Sequence, residues 1–462
     1  MSLPLPHPRP TRVAASLALF ASLAAATPPA SGFCGFYVGK ADAKLFNEAS
    51  QVILARDGNR TVIGMRNDFQ GELTDFALVV PVPVVLQKDQ IHVGDPKIFE
   101  RIDAYSAPRL AEYFDPNPCE VRKIAREMAA PASAGATLAQ KASRDQALGV
   151  TVEARYTVGE YDIVILSATQ SNGLEVWLKQ NGYRIPANAS RALQPYVRQG
   201  LKFFVAKVNL AEQAKTGFSY LRPLQFAFEY ERFMLPVRLG MLNAKGPQDL
   251  VVYVLSRNGR VEATNYRTVK LPANVELPTY VRGEFPKVYK ALFETQARRE
   301  DYRVVWTEYF WDMGWCDPCA ANPLSLEELR SAGVFWLDGD ISSTGAPGAA
   351  APSVVRRGGG AQPVMLTRLH LRYTPETLPE DLMFQETQDR QNFQARYILR
   401  HPWQGDANAC PEAKSYFDEV ARRQEREAQT LANLTAWDLN DIRGRMNVQA
   451  VSAPKWWERL WR

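Results

Sequence analysis

Residues 51–67 read QVILARDGNRTVIGMRN. Two runs rich in branched side chains, Gln51 to Arg56 and Arg60 to Asn67, flank Asp57, Gly58 and Asn59, which suit a tight turn, so the stretch predicts a β-hairpin. That antiparallel start sets the expected class as α+β. Largely antiparallel β-rich domains should carry short helices and a C-terminal amphipathic helix.

Toward the N-terminus, Arg9 and Arg12 precede an apolar run from Val13 to Ala26 and then small residues, the pattern of an export signal. Pro10 and Thr11 separate the two arginines, which excludes a twin-arginine signal, and Phe33 before Cys34 excludes a lipoprotein box. Cleavage near Ala26 or Gly32 leaves about 430 residues. No later run reaches the roughly 18 to 20 apolar residues of a membrane-spanning helix. The longest, Phe76 to Leu86, is short and holds Pro81 and Pro83. The expected location is therefore the periplasm or the extracellular space, as a soluble protein.

Charge identifies no partner. Residues 1–32 hold two of the 55 basic side chains and no acid, leaving 53 basic against 50 acidic. Such balance argues against nucleic acid, which needs a concentrated basic surface. An envelope protein or ligand remains the open expectation for a partner.

Five cysteines follow the signal: Cys34, Cys119, Cys316, Cys319 and Cys410. In an oxidising compartment they read as two disulfides and one leftover thiol, with connectivity undetermined by spacing. A Cys34 to Cys119 bridge would contribute roughly 4 to 5 kcal/mol by loop-closure entropy, and a Cys316 to Cys319 bond roughly 2.

Beyond the hairpin, Phe76 to Val80 reads as a strand ending at Pro81, with the following prolines at a sheet edge. His92, between Ile91 and Val93, reads as an exposed strand residue. Pro108 predicts a helix start running through Leu110, Tyr113 and Phe114, with a second helical run after Cys119. Thr151 to Val158 and Tyr161 to Ser167 predict strands around Gly159. Asn172 and Glu175 resemble a capping box opening a helix through Leu174, Trp177 and Leu178, closed by Gly182. A short helix from Pro195 to Gln199, stopped by Gly200, leads to a strand from Leu201 to Val208.

Asn258 and Gly259, between Leu250–Arg257 and Arg260–Thr264, give the strongest short hairpin signal. Lys287 to Gln296 predicts a helix with Val288, Ala291, Leu292 and Thr295 on one side. In Arg368 to Tyr373, Leu369, Leu371 and Tyr373 alternate with Arg368, His370 and Arg372, which places His370 on a solvated face. Pro411 to Leu434 predicts an amphipathic helix marked by Phe417, Val420, Ala421, Ala428 and Leu431.

The expected organisation is a signal peptide at 1–32, an N-terminal β-rich domain at 33–128 and a flexible connection at 129–149. A central α+β domain at 150–341, a disordered Gly/Ala/Pro loop at 342–363 and a C-terminal strand and helical region at 364–462 follow. The closing PKWWERLWR offers Trp456, Trp457 and Trp461 to a membrane interface, but docking onto the protein body is the favoured reading because so short a basic segment binds lipid weakly.

No phosphate-binding glycine loop, GxSxG elbow or HExxH is present. No cofactor or metal is expected, since only His92, His370 and His401 remain after export and neither His92 nor His370 has partners at metal-ligand spacing. Asp338 with Asp340 reads as a pair of solvated loop charges. The reading leans away from an enzyme, toward a cell-envelope binding or structural module.

The alternative is a thiol-disulfide oxidoreductase. Residues 302–337 hold Trp306, Trp311, Trp315 and Trp336, four of the ten tryptophans, and the WCDPC motif with Cys316 as nucleophile and Cys319 as resolving thiol. Three features oppose it. Asn322 before Pro323 disfavours helix, Ser325 with Glu328 starts a fresh capping box, and the Asp317 carboxylate between the sulfurs opposes a thiolate. The favoured reading is a disulfide-pinned turn, buried against the sheet by its tryptophans.

CGFYVGKADAKLFNEASQVILAR at 34–56, FALVVPVPVVL at 76–86, EYFWDMGWCDPCAANPLS at 308–325 and FQARYILRHPW at 393–403 together resemble the bacterial exported family known as domain of unknown function 2330. The resemblance spans nearly the whole mature chain. It implies export and a place for Cys34, Cys316 and Cys319 in the family pattern, and no activity, ligand or catalytic residue. The stretch at 342–363 then reads as an insertion peculiar to this member.

Overall fold

The computed structural model describes residues 36–39, 46–70, 76–120, 150–181, 183, 188–216, 221–243, 246–315, 317, 322–337 and 363–446. Its first strands are β1 (Phe36–Gly39), β2 (Phe46–Asp57), β3 (Arg60–Gln70), β4 (Phe76–Val82), β5 (Ile91–Val93) and β6 (Arg109–Phe114). Next come β7 (Thr151–Val158), β8 (Tyr161–Ser167), β9 (Lys202–Val208), β10 (Leu224–Glu229), β11 (Met234–Leu235) and β12 (Gln248–Ser256). There follow β13 (Val261–Ala263), β14 (Arg267–Lys270), β15 (Val275–Leu277), β16 (Val304–Asp312) and β17 (Met365–Tyr373). The last strands are β18 (Leu382–Glu386), β19 (Phe393–Gln394) and β20 (Arg396–His401). The helices are α1 (Lys97–Ser106), α2 (Ser171–Gln180), α3 (Ala189–Arg198) and α4 (Leu210–Thr216). Later in the chain come α5 (Phe285–Arg299), α6 (Leu326–Ser331), α7 (Pro411–Thr435) and α8 (Leu439–Met446).

The fold is α+β. A five-stranded antiparallel sheet, β1-β4-β9-β8-β7, faces a nine-stranded mixed sheet, β14-β16-β17-β12-β2-β3-β10-β5, with β19 beside β16. The larger sheet takes strands from residues 33–128, 150–341 and 364–462 alike. Period-two alternation sends Leu78, Val80, Ile163 and Phe204 from one sheet, and Val52, Leu54, Val252 and Leu369 from the other, into a shared core. The opposite side of the small sheet, through Val79, Phe203 and Val205, packs on α2 and α3.

The opposite side of the large sheet meets two helix groups. Ile53, Tyr253 and Tyr309 pack with Phe99 of α1 and Leu329 of α6, while Val304 and Trp306 pack with Leu292 of α5 and Leu431 of α7. The layers are thus helix, sheet, sheet, helix. Each fully buried Leu or Phe among them contributes about 1.5–3 kcal/mol.

The hairpin at 51–67 forms as expected, with Asp57 paired to Arg60 and Gly58 at φ +59° in the turn. The strands flanking Gly159 pair with each other, the helix expected at 287–296 lies within α5, and the Ser325–Glu328 capping box is made in both directions. The strand at Phe76 continues through Pro81 to Val82. Among the described residues β1 pairs as far as Val79, and Pro81 has a ladder partner only on the β9 side, Phe203. His92 is exposed on β5.

Several expectations are corrected. The helix precedes Pro108 and ends at Ser106, whereas Leu110, Tyr113 and Phe114 lie in β6, paired in parallel with β20. A residue before proline is pushed from helical to extended backbone, which turns the chain at Ala107 into a strand. α2 forms, but its N-cap is Gln170 with no side-chain hydrogen bond, so Asn172 with Glu175 is not its cap. α3 begins at Ala189, well before Pro195.

Asn258-Gly259 does not close a hairpin. Both sides of β12 are already occupied, by β17 and β2, so β13 leaves the sheet and pairs with β18. The Glu386 carboxylate instead accepts hydrogen bonds from the amides of Asn258 at 2.6 Å and Gly259 at 3.2 Å. Gly259 is needed for close approach, since a Cβ there would sit 2.2 Å from the carbonyl oxygen of Thr387. The helical run after Cys119, the connection at 129–149, Gly182, Asp338 with Asp340, the loop at 342–362 and Trp456, Trp457 and Trp461 lie outside the described residues.

Candidate functional site

The densest ionisable chemistry lies on the helix-covered face of the large sheet, between α1 and α5. It begins with an irregularity in β16. Trp306 pairs with His370, Thr307 with Leu369 and Tyr309 with Arg368, so Glu308 is an extra residue in a β-bulge. The bulge sends Glu308 to the same side of the sheet as Arg368 and His370, where its side chain is fully buried.

Both carboxylate oxygens are committed. Arg368 donates from Nε to Oε2 at 2.6 Å, His370 Nδ1 stands 2.5 Å from Oε1, and the Tyr289 hydroxyl of α5 donates to that same oxygen. Burial alone would raise the Glu308 carboxyl. The charges of His370 and Arg368, with hydrogen bonds from His370 and Tyr289, outweigh it and hold the carboxyl down at about 2. Burial and the neighbouring Glu308 push the Tyr289 hydroxyl far above its ordinary value.

From this centre the network spreads both ways. Arg368 Nη1 donates to Asp103 of α1 at 2.6 Å, and the Tyr253 hydroxyl donates to the same oxygen at 2.6 Å. The Arg368 guanidinium lies 5.2 Å from the Tyr253 ring centroid. On the α5 side, His370 stacks on Phe293 with centroids 3.7 Å apart and rings 4° from parallel. Its Nε2 is 3.9 Å from Asp249. Arg372 forks onto Asp249 from Nε and Nη2 and reaches Glu294 through Nη1.

His370 was expected on a solvated face, and this is corrected: it is 9% exposed, and Arg368 is 6% exposed. Alternation correctly separates these residues from Leu369 and Leu371, but the side they share is roofed by α5 and α1. Glu308, Asp249 and Asp103 carried no sequence signal, because they come together only through the bulge and two distant helices.

A second cluster joins α7 to the body. Asp115, just after β6, accepts from the Tyr416 hydroxyl at 2.8 Å and from Arg423 Nη2 at 2.7 Å. Nearby, Cys119 and Cys410 form a disulfide with Cα atoms 5.8 Å apart across 291 residues of sequence. Cys119 is therefore bridged to Cys410 and not to Cys34. Cys410 stands at the N-cap of α7, so the bond pins the first turn of that helix.

Cys34, Cys316 and Cys319 lie outside the described residues. Of the tryptophans near the last two in sequence, Trp306 and Trp336 are buried and Trp315 is 62% exposed. Asp317 accepts hydrogen bonds from Tyr309 and from Gln394 Nε2, both at 3.1 Å. His401 pairs through Nε2 with Glu112 at 2.8 Å and stacks on Phe114.

Among the described residues, no group of three or more His, Cys, Asp or Glu side chains is placed to hold a metal ion, and no helix is long and apolar enough to cross a membrane. An apolar crevice between the sheets, lined by Ile63, Val80, Pro81, Tyr230, Met234 and Pro236, has about 20 Å³ of space, enough for roughly one water-sized sphere.

Chemically, the Glu308 network is self-neutralising. A carboxylate held at about 2 by Arg368, His370 and Tyr289 is a weak proton acceptor near neutral pH, and its oxygens are already filled. Such an arrangement orients the helices on the sheet.

Neither the curated proteins nor the solved structures contain a match to this chain. The family model described as an uncharacterized protein conserved in bacteria matches residues 28–385. That span includes Cys34, Cys119, Cys316 and Cys319 and stops short of FQARYILRHPW, Cys410 and α7. Covering more than half of the sequence, the match shows that the chain belongs to this bacterial family, domain of unknown function 2330.

Proposed function

We propose that the protein is exported to an oxidising compartment, the periplasm or the cell exterior, and acts there as a non-enzymatic binding or structural module of the cell envelope. The observation that carries the reading is the Cys119–Cys410 disulfide. Bonds of this kind persist outside the reducing cytosol, which agrees with the signal pattern of residues 1–32. The Glu308 network adds support, since its charged groups are turned on one another.

Fractionation of the producing cells, with N-terminal sequencing of the recovered chain, tests the reading. The expected result is a periplasmic or secreted protein beginning after Ala26 or Gly32. Recovery of the uncleaved chain from the cytosol contradicts export. Turnover of a small substrate that survives in the purified protein and is lost on substitution of a single described residue contradicts the non-enzymatic part.

A further inference from the structure

The contact between α7 and the body holds an unequal number of charges. Three carboxylates, Asp115, Glu276 and Glu427, meet two guanidiniums, Arg400 and Arg423. Arg423 gives Nη2 to Asp115 at 2.7 Å, and Arg400 gives Nε to Glu276 of β15 at 2.7 Å. Glu427 is left over. It is 3% exposed, and its buried Oε1 has no hydrogen-bond partner. Its contact with Arg423 Nε is an ion pair at 3.4 Å that satisfies the hydrogen-bonding needs of neither atom.

A further counter-charge reaches Glu427 only from the surface, through Arg426. Arg426, the residue directly before Glu427, is 60% exposed and paired with Glu419. α5 and α8 also pack against α7, but they send Arg299 to Asn433 and Arg443 to Glu425. A buried carboxylate without a hydrogen bond and beside a second carboxylate is costly, whereas a neutral carboxyl is tolerated.

We propose that Glu427 is a protonation latch: α7 docks tightly on β15 and β20 while this carboxyl is neutral, and loosens when it ionises. Burial, reinforced by Glu276 and opposed by Arg423 and Arg400, pushes the Glu427 carboxyl up to about 7, so the change falls within a range that an extracytoplasmic compartment visits. The Cys119–Cys410 bond lies at the other end of the helix, seventeen residues before Glu427, and keeps the loosened helix attached. The device is thus a tethered, pH-sensitive flap that uncovers β15 and β20 without releasing α7.

The sign follows from linkage. A carboxyl raised in the folded state from its ordinary 4.5 to about 7 contributes stability that is fully present below 4.5 and lost as pH rises through 7. Hydrogen exchange of the α7 amides, on the full chain with its disulfide intact and corrected for intrinsic exchange, reads this directly. Protection in α7 relative to β12 should fall roughly tenfold between pH 6 and pH 8 and stay level in Glu427→Gln. A wild-type protein whose α7 protection does not fall, or an E427Q protein that falls as much, overturns the latch. Should E427Q fail to fold, the carboxyl carbon of wild-type Glu427 is followed by NMR: a midpoint near 7 is expected, and a midpoint in the ordinary carboxylate range overturns the proposal.

Discussion

Glu308 and His370 lie 62 residues apart in sequence and meet inside the protein, with Oε1 of one 2.5 Å from Nδ1 of the other. The bulge in β16 makes the meeting possible, and Arg368 and Tyr289 complete it. Removing one partner strands the others in a dry setting. Glu308→Leu alone should cost about 3–5 kcal/mol, measured by urea unfolding. Replacing the centre together, as Glu308→Leu with Arg368→Met and His370→Phe, should recover most of that loss. A combined variant as unstable as the single one would show that the network does more than neutralise itself.

Acid should act through the same carboxyl. Glu308 is depressed in the folded state from 4.5 to about 2, so its stabilisation is present above 4.5 and lost as pH falls through 2. The loss is on the order of 3 kcal/mol. Thermal unfolding between pH 5 and pH 2 should show a steeper decline in wild type than in Glu308→Gln. Parallel declines would assign the acid sensitivity to other groups.

The disulfide should matter to α7 first. Closing 291 residues of chain restricts the unfolded state strongly, and paired Cys119→Ser and Cys410→Ser substitutions should lower stability by about 3–5 kcal/mol. Limited proteolysis should then cut near the start of α7. An unchanged unfolding midpoint and cleavage pattern would show that Asp115, Tyr416 and Arg423 hold the helix without the bond.

Two glycines separate turn strain from close approach. Gly58 has φ +59° with open space around it, whereas Gly259 faces the Thr387 carbonyl. Gly58→Ala should cost about 1 kcal/mol, the penalty of left-handed backbone for a residue with a Cβ. Gly259→Ala should cost distinctly more and loosen the β13–β18 pairing. Equal costs in chemical denaturation would contradict the close packing of residue 259.

What was legible in the sequence was local. Asp57-Gly58-Asn59, the Ser325–Glu328 box and the 3.6-residue stripe of α7 each specify their structure within a few residues, and each formed. Asn258-Gly259 carried the same kind of signal and failed, because strand pairing is decided by which edges are free and β12 has none. His370 was misplaced for a related reason. Alternation tells which residues share a side of a strand, and it cannot tell that a helix 70 residues earlier covers that side. Glu308 was invisible because one inserted residue in β16 shifts the period-two pattern, and its partners come from β17 and α5. The pairing of Cys119 with Cys410 joins two segments that touch only after β6 lies down beside β20.

The Cys119–Cys410 bond links the fold to the proposed compartment, and peptide mapping of protein taken from its own producing cells reads it most directly. Free thiols are blocked at harvest and the digest is analysed without reduction. A single peptide pair joining Cys119 to Cys410, on a chain cleaved after its first 26 to 32 residues, is the expected result. Recovery of Cys119 and Cys410 as blocked free thiols, on a chain still carrying Arg9 and Arg12, would contradict both the bond and the export it supports.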